Sequence, residues 1–404
     1  KNLFKDFLKL TKPYFPFLTN FKYDITSKIM YQTSKIVISP RVRKSPYFDS
    51  TMKYGASAFT IYNHMYMPIV FEGPEKDYEN LLNGVQLWDV GVERQVEIKG
   101  PDASKQAQYI TPRDINKCKI GQALYAPLLD FEGGFINDPV MLKLADDHYW
   151  FSLSDSDALL WVQGVASGKG YDAEISEPDV SPLQIQGPNS TELMSRVFGE
   201  WIDDLAFYKF REVTHSGIPM VIARMGYSRE RCYEIFLQDG SKGNQLWEIL
   251  WEAGKDLNIT PGTPNQIFRL EAGILSFGAD MHRENNPFEV GLDWMIDLEQ
   301  EDDFIGKEAL RIIKENGIEK KLMGAEIAGS KMEFFNEENL DVSIEGDRVG
   351  AMMSAVYSPR FEKNICYIIL DVEHAITGKV VDIHTPDGDL KAELVELPWI
   401  KERA

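Results

Sequence analysis

The residue types able to do chemistry in this sequence are carboxylates, tyrosines and an arginine rather than thiols or imidazoles. Its 3 cysteines, Cys118, Cys232 and Cys366, are far apart and form no C-x-x-C, so neither a disulfide framework nor a zinc site is expected. Its 6 histidines, His64, His148, His215, His282, His374 and His384, form no H-E-x-x-H or H-x-H pair that would place two ligands on one metal, and no metal is expected. Cys232 has no assignable basic neighbour, and a lone cysteine is usually buried and inert. The stretch IQGPNS lacks the glycine spacing and lysine of a phosphate loop and is expected to be a strand-to-helix turn. That leaves Asp138 in FINDPV, Glu234 in CYEIFL, Arg269 and Glu271 in RLEAG, and the aromatic residues Tyr62, Trp88, Tyr125, Trp201 and Tyr227. Carboxylates take charge-assisted hydrogen bonds and aromatic faces attract cations. Each residue also has a plain structural reading. Asp138 before Pro139 marks the end of a turn. The tyrosines suit half-buried strands, and Arg269 with Glu271 suits an ion pair on one helix.

The elements that must position these residues read as α+β. From about residue 58 to 130, the strands AFTIYNHM and QVEIKG flank a predicted amphipathic helix over EKDYENLLNGVQLWDV. The segment ALYAPLLDFEGGFINDPVMLKLADDHYWFSLS predicts a β-meander, with turns at Asp130 to Gly134 and Ala145 to His148. Helices follow at ALLWVQGVASGKG and after SPLQIQGPN, then a strand, turn and strand in PMVIARMGYSRERCYEIFL. Further helices are predicted at NQLWEILWEAGKDLN and QIFRLEAGILSFG. Beyond about residue 318 short strands dominate, predicting a small barrel or sandwich. No internal repeat or low-complexity tract interrupts the pattern.

With 404 residues, 44 % hydrophobic and 26 % charged, the chain has ordinary globular composition and room for two or three domains. A formal charge of −20 opposes binding to nucleic-acid phosphates or anionic lipid, although a local basic pocket could still hold a small anion. The opening segment mixes lysines, prolines and aromatics without an apolar run suited to a signal peptide or a membrane span. Residues 1–37 are expected to be an N-terminal extension. Two readings stand for it: an over-extended reading frame ahead of Met30, or an amphipathic docking arm with Phe4, Phe7, Leu8 and Leu10 on one helical face.

Several segments, taken in order, resemble the glycine-cleavage T-protein family from about residue 38 to the C-terminus. They are GQALYAPLLDFEGGFINDPVMLKL, IQGPNS, ARMGYSRERCYEIFL and RLEAGILSFGADMHRENNPFEVGLDWMIDLE running into DDFIGKEAL, with a weaker match in GAMMSAVYSPRFEKNICYIIL. Within the family, YNHM, WDVGVERQVEIKGPD, FINDPVMLKL, SDSD and NNPFEVG are most similar to the dimethylsulfoniopropionate demethylase branch. Aminomethyltransferases typically carry a DVSHMGE-like stretch where this chain reads Asp89-Val90-Gly91-Val92-Glu93-Arg94. Tyr227 departs from that branch, which places tryptophan there, and matches aminomethyltransferases instead. The resemblance implies a multi-domain cloverleaf, with a folate-binding region over 38–316 that holds two α+β subdomains and a C-terminal β-barrel over 317–404.

The resemblance also implies roles. Asp138 matches the carboxylate that positions folate and orients N5. Glu234 matches the pterin-recognising glutamate, able to accept two hydrogen bonds from an aminopyrimidine edge. Tyr125 and Tyr227 match aromatic positions of the central cleft, and Arg269 matches an arginine that contacts folate. Glu230, Arg231 and Cys232 replace the Glu-x-Gly turn of many relatives. A sulfonium or quaternary ammonium offers no hydrogen-bond donor, so aromatic faces should receive it. Tyr62, Trp88 and Trp201 are further candidates, after Tyr125 and Tyr227.

The activity implied is methyl transfer from dimethylsulfoniopropionate to N5 of tetrahydrofolate as co-substrate, giving methylmercaptopropionate and 5-methyltetrahydrofolate. No metal, nucleic acid or membrane is involved, and the expected location is cytoplasmic. The rival readings are an aminomethyltransferase served by a lipoyl carrier protein, a glycine betaine or dimethylglycine type folate methyltransferase, and a noncatalytic folate-binding scaffold.

Overall fold

The computed structural model describes residues 40–228, 231–333, 335–336 and 338–401. The chain divides between Val42 and Arg43, and the architecture below is that of Arg43 onward. The two readings of the N-terminal extension lie outside the described residues.

Two sheets pack face to face, with helices on their outer sides. The first has six strands in the order Phe210–His215, Ile218–Ala223, Cys232–Leu237, Ser181–Gln186, Val85–Asp89 and Ile259–Gly262, antiparallel except for the last pair. Successive strand residues face opposite ways. Tyr233, Ile235, Leu183 and Ile185 therefore meet the helices Ser190–Phe198 and Gly243–Ala253 through Leu193, Met194, Leu246 and Trp247. On the other face Val221, Ala223 and Phe236 pack against Ala123, Leu142 and Trp150 of the second sheet.

That second sheet has the order Glu174–Ser176, Gln95–Lys99, His148–Ser152, Val140–Ala145 and Gln122–Tyr125. Its outer face buries Val96, Ile98, Tyr149 and Phe151 beneath the helices Ala103–Tyr109 and Ala158–Lys169. The strands Lys320–Ile327, Lys363–Asp371, Asp347–Ser358, Leu340–Ile344, Val380–Thr385 and Gly388–Val395 form a closed barrel. Cys366, Ile368 and Leu370 fill its interior, while the alternating Ile365, Tyr367 and Ile369 pack outward on the helix Gln266–Ala272 and its surroundings. The α+β class and the C-terminal barrel read from the sequence are thus present.

Three predicted helices are shorter than the apolar spacing suggested, one of them ending at Ala253. The helix at Pro74–Asn83 stops at Gly84, and Val85–Asp89 is a strand buried along its whole length. A Cβ at Gly84 would stand 2.3 Å from the Asn258 carbonyl oxygen, so glycine permits the crossing that converts helix into strand. The VQLWD run has near-continuous apolar character because both its faces are covered, which erases the period that distinguishes strand from helix. The helix at Gln266–Ala272 likewise ends at Gly273, which takes the left-handed conformation at φ 70°.

Candidate functional site

Asp138 follows the short strand Phe135–Asn137 and precedes Pro139, at the mouth of the second sheet. Its buried carboxylate takes a hydrogen bond from the Tyr125 hydroxyl at 2.7 Å and another from the Ser154 hydroxyl at 2.5 Å. The sheet register explains why these groups meet. Tyr125 lies opposite Val140, and Val140 opposite Ser152, so the neighbouring positions converge beyond the hydrogen-bonded ladder. Burial pushes the Asp138 carboxyl up to about 6 against the pull of those two donors. Desolvation disfavours the charged form, whereas hydrogen bonds to the carboxylate favour it.

Glu234 projects from the facing six-stranded sheet and is 2 % exposed. Register places Gln184 beside it, and Trp88 on the far side of Gln184 in the same cross-strand row. A chain of amides braces the carboxylate. Ser228 donates to Gln186 at 2.6 Å, Gln186 to Gln184 at 2.9 Å, and Gln184 to Glu234 Oε2 at 3.3 Å. The other oxygen, Oε1, is buried with no hydrogen-bond partner among the described residues. A buried acceptor without a partner costs about 1–3 kcal/mol, and this one belongs to a group whose proton affinity burial has raised.

A further carboxylate, Glu93, sits between these two. It lies in the turn joining Val85–Asp89 to Gln95–Lys99, and its Oε2 meets the Ser152 hydroxyl at 3.4 Å. Burial raises its proton affinity against the Ser152 hydrogen bond, and the Asp138 charge raises it further. Glu234 is raised by burial and then by Glu93. The carboxylates therefore form one electrostatically linked group. Tyr62 borders it, its hydroxyl held protonated by burial and by the charges of Glu93 and Asp138. Tyr227 closes the side nearest the barrel, donating to the Leu275 carbonyl at 2.7 Å.

The remaining predicted residues are placed differently. Arg269 is 1 % exposed and its guanidinium is bound on several sides: Asp280 at 2.5 Å, Gln266 at 2.6 Å, Ser354 at 2.7 Å and the Ile274 carbonyl at 3.3 Å. It joins the helix to the barrel instead of offering a free fork to a ligand. Glu271 does the same through Tyr78, Ser358 and Arg360. Trp88 is fully buried, with its indole N–H given to Gln86 at 2.9 Å, so it presents no open aromatic face. Trp201 lies elsewhere. It packs with Phe198 and Val197 on the helix-covered side of the six-stranded sheet, beneath Arg211. Glu234 points out of the opposite side, because adjacent strand residues alternate.

Sequence reasoning missed Glu93, Ser152, Ser154, Gln184 and Gln186. The glutamines carried a legible signal, since amides interrupting the apolar strands VQLWD and SPLQIQ require buried partners. Glu93 carried a weaker one, and its significance depends on the pairing of distant segments. IQGPNS is the expected strand-to-helix turn, with Gly187 at φ 111° lying against the Leu81 and Gly84 carbonyls, but its leading glutamine belongs to the cleft.

Among the described residues, no cluster of His, Cys, Asp or Glu has the arrangement of a metal site, and no helix is long and apolar enough to cross a membrane. The family described as GCVT N-terminal domain matches residues 47–300, and the glycine cleavage T-protein C-terminal barrel domain matches 320–401. A dimethylsulfoniopropionate demethylase DmdA from Ruegeria pomeroyi is 41 % identical over 355 residues, spanning 88 % of this chain and 96 % of that protein. An aminomethyltransferase from Alkaliphilus oremlandii is 28 % identical over 360 residues, spanning 88 % and 96 %. The crystal structure of aminomethyltransferase T from Bartonella henselae superposes with a TM-score of 0.80 at 21 % identity, over 89 % of this chain and 99 % of that one, which establishes the shared fold. A two-sheet body with buried carboxylates between the sheets, a C-terminal barrel and family domains matching residues 47–300 and 320–401 together mean that this chain belongs to the glycine-cleavage T-protein family.

Proposed function

We propose that this protein is a tetrahydrofolate-dependent demethylase that takes a methyl group from dimethylsulfoniopropionate, leaving methylmercaptopropionate and 5-methyltetrahydrofolate. The observation that carries this reading is the 41 % identity, over 88 % of the chain, to a demethylase of that specificity. The site suits it: Tyr62, Tyr125 and Tyr227 stand with buried carboxylates, of which Asp138, at about 6, is ionised at neutral pH and favours a cation. As the carbon–nitrogen bond to N5 forms, the carbon–sulfur bond breaks, its electron pair staying on sulfur as the thioether. The proton lost from N5 passes to a base.

Asp138 is that base and the group that orients N5. Its carboxyl, pushed up to about 6, is ionised at neutral pH yet close enough to neutrality to accept a proton. Tyr125 and Ser154 fix its rotamer, so alignment of donor carbon and acceptor nitrogen is prepaid by the fold. Glu234 offers Oε1 to the amino group of the pterin. Tyr62, Tyr125 and Tyr227 supply the aromatic walls, and Arg269 acts through its hold on the helix and the barrel. The location that follows for such an enzyme is the cytosol, where reduced folate is used.

Anaerobic incubation with tetrahydrofolate and, separately, dimethylsulfoniopropionate, glycine betaine and dimethylglycine tests the reading, with 5-methyltetrahydrofolate followed by chromatography. Product from the sulfonium alone is expected. Product from an ammonium alone would change the donor, and product that required a lipoylated carrier would replace the reaction with aminomethyl transfer.

A further inference from the structure

Ser152 is the last residue of its strand and Ser154 lies two residues beyond it. Ser152 meets Glu93 at 3.4 Å, and Ser154 holds Asp138 at 2.5 Å. Glu93 lies close enough to Asp138, and Glu234 of the facing sheet close enough to Glu93, for each charge to act on the next. Among the described residues no ion pair reaches any of these carboxylates. The neighbouring Arg94 is committed to Glu177, and Arg269 to Asp280.

Acidic side chains alone would not define a site, because such a group can simply share protons. Here a separate observation points to a missing ligand: Glu234, 2 % exposed, keeps an oxygen unpaired inside the same space. Glu234 Oε1 thus has no donor, and none of the three carboxylates has a cationic partner, among the described residues. The proposed reaction brings both, the donor on the pterin and the charge on sulfur. Asp138 and Glu234 are engaged by the pterin in that reading, which leaves Glu93 facing the other reactant with Tyr62 beside it.

We propose that Glu93 is the specificity-determining counter-charge for the onium centre of the methyl donor, an assignment that rests on the demethylase reading above. Burial holds the Glu93 carboxyl up at about 8, so it is largely protonated until a cation arrives and draws the proton out. A sulfonium, with no N–H or O–H to donate, is then recognised by charge alone, strongly where water is excluded. The thioether product carries no charge at sulfur and loses this attraction once the methyl group has left. Glu93 thus favours the cationic reactant over the neutral product, while the distant carboxylate common to both is recognised elsewhere.

The test is calorimetric binding to the purified full chain and to Glu93→Gln, using dimethylsulfoniopropionate, methylmercaptopropionate and tetrahydrofolate as separate ligands, with methyl transfer assayed in parallel. Glu93→Gln is expected to weaken sulfonium binding about tenfold or more while leaving the thioether and tetrahydrofolate within about twofold. Equal binding of the sulfonium by both proteins, or equal loss of all three ligands, would overturn the assignment and leave the demethylase reading standing. Failure of the unaltered protein to demethylate dimethylsulfoniopropionate would overturn both. Should Glu93→Gln not give a native circular dichroism spectrum, Glu93→Asp retains the charge on a shorter arm. A selective loss of sulfonium affinity is then expected, and unchanged affinity counts against the proposal.

Discussion

The hydroxyl of Tyr125 donates a 2.7 Å hydrogen bond to the carboxylate of Asp138 across the end of a sheet, and the carboxylate it holds is buried. That bond favours the ionised form, whereas burial opposes it. Tyr125→Phe should raise the Asp138 proton affinity and shift the acidic limb of the kcat/KM profile, expected near pH 6, toward higher pH. Asp138→Asn should lower kcat by about 10²-fold or more. Steady-state rates between pH 5 and 8 measure both effects, and full activity in Asp138→Asn would remove the residue from the reaction.

The same group makes stability depend on pH. Its folded-state affinity for a proton exceeds that of an ordinary aspartate, so its contribution is fully present below about pH 4 and is lost as pH rises to about 6. Asp138→Asn should match the parent protein at pH 4 and exceed it at pH 7 by on the order of 2–3 kcal/mol. Urea denaturation at the two pH values checks the sign, and a constant difference would contradict it.

Glu234→Gln keeps the shape of the side chain and removes its capacity to ionise. Burial favours the neutral carboxyl in the free protein, and only a carboxyl can give up its proton to become a charge-assisted acceptor, so folate affinity should fall by about tenfold in the amide, with little change in thermal stability. Fluorescence titration with tetrahydrofolate reads the first and calorimetry the second.

Arg269→Met should strand Asp280, a carboxylate with no exposure. Leaving one member of a buried ion pair unpartnered costs about 3–5 kcal/mol, so a large drop in Tm is expected before any question of catalysis arises.

Trp201→Phe should leave KM for both reactants unchanged, because its ring lies on the helix-covered side of the sheet. A raised KM for the methyl donor would place the ring in the cleft after all.

The sequence made the class of the fold legible because most of its elements keep a clear period. The order of distant motifs pointed to Asp138, Tyr125, Tyr227 and Glu234, and the structure places Tyr125 on Asp138 and links Glu234 to them through Glu93. Trp88 and Trp201 could not be sorted this way: residue type says that an aromatic ring is present, and only strand direction says which face carries it. Arg269 was ambiguous for a related reason, since a guanidinium bonded to a ligand and one bonded to the protein read alike. Glu93 became meaningful only when Ser152, far along the chain, was seen to hold it. VQLWD misled as a helix because burial on both faces removes alternation.

The joint around Arg269 also bears on how such a protein could be recombined with its relatives. Ser354, in the barrel, receives the Arg269 guanidinium at 2.7 Å and donates to Asp280 at 2.5 Å. Tyr367 donates to the carbonyls of Arg269 and Leu270, and the backbone N–H of Ile400 to that of Glu271. A chimera cut between the two family domains near residue 319 would have to inherit partners on both sides of the cut. Exchange of barrels should therefore succeed only between parents that share Arg269, Asp280, Ser354 and Tyr367 as a set, which makes these positions a unit of inheritance although they are far apart in the chain.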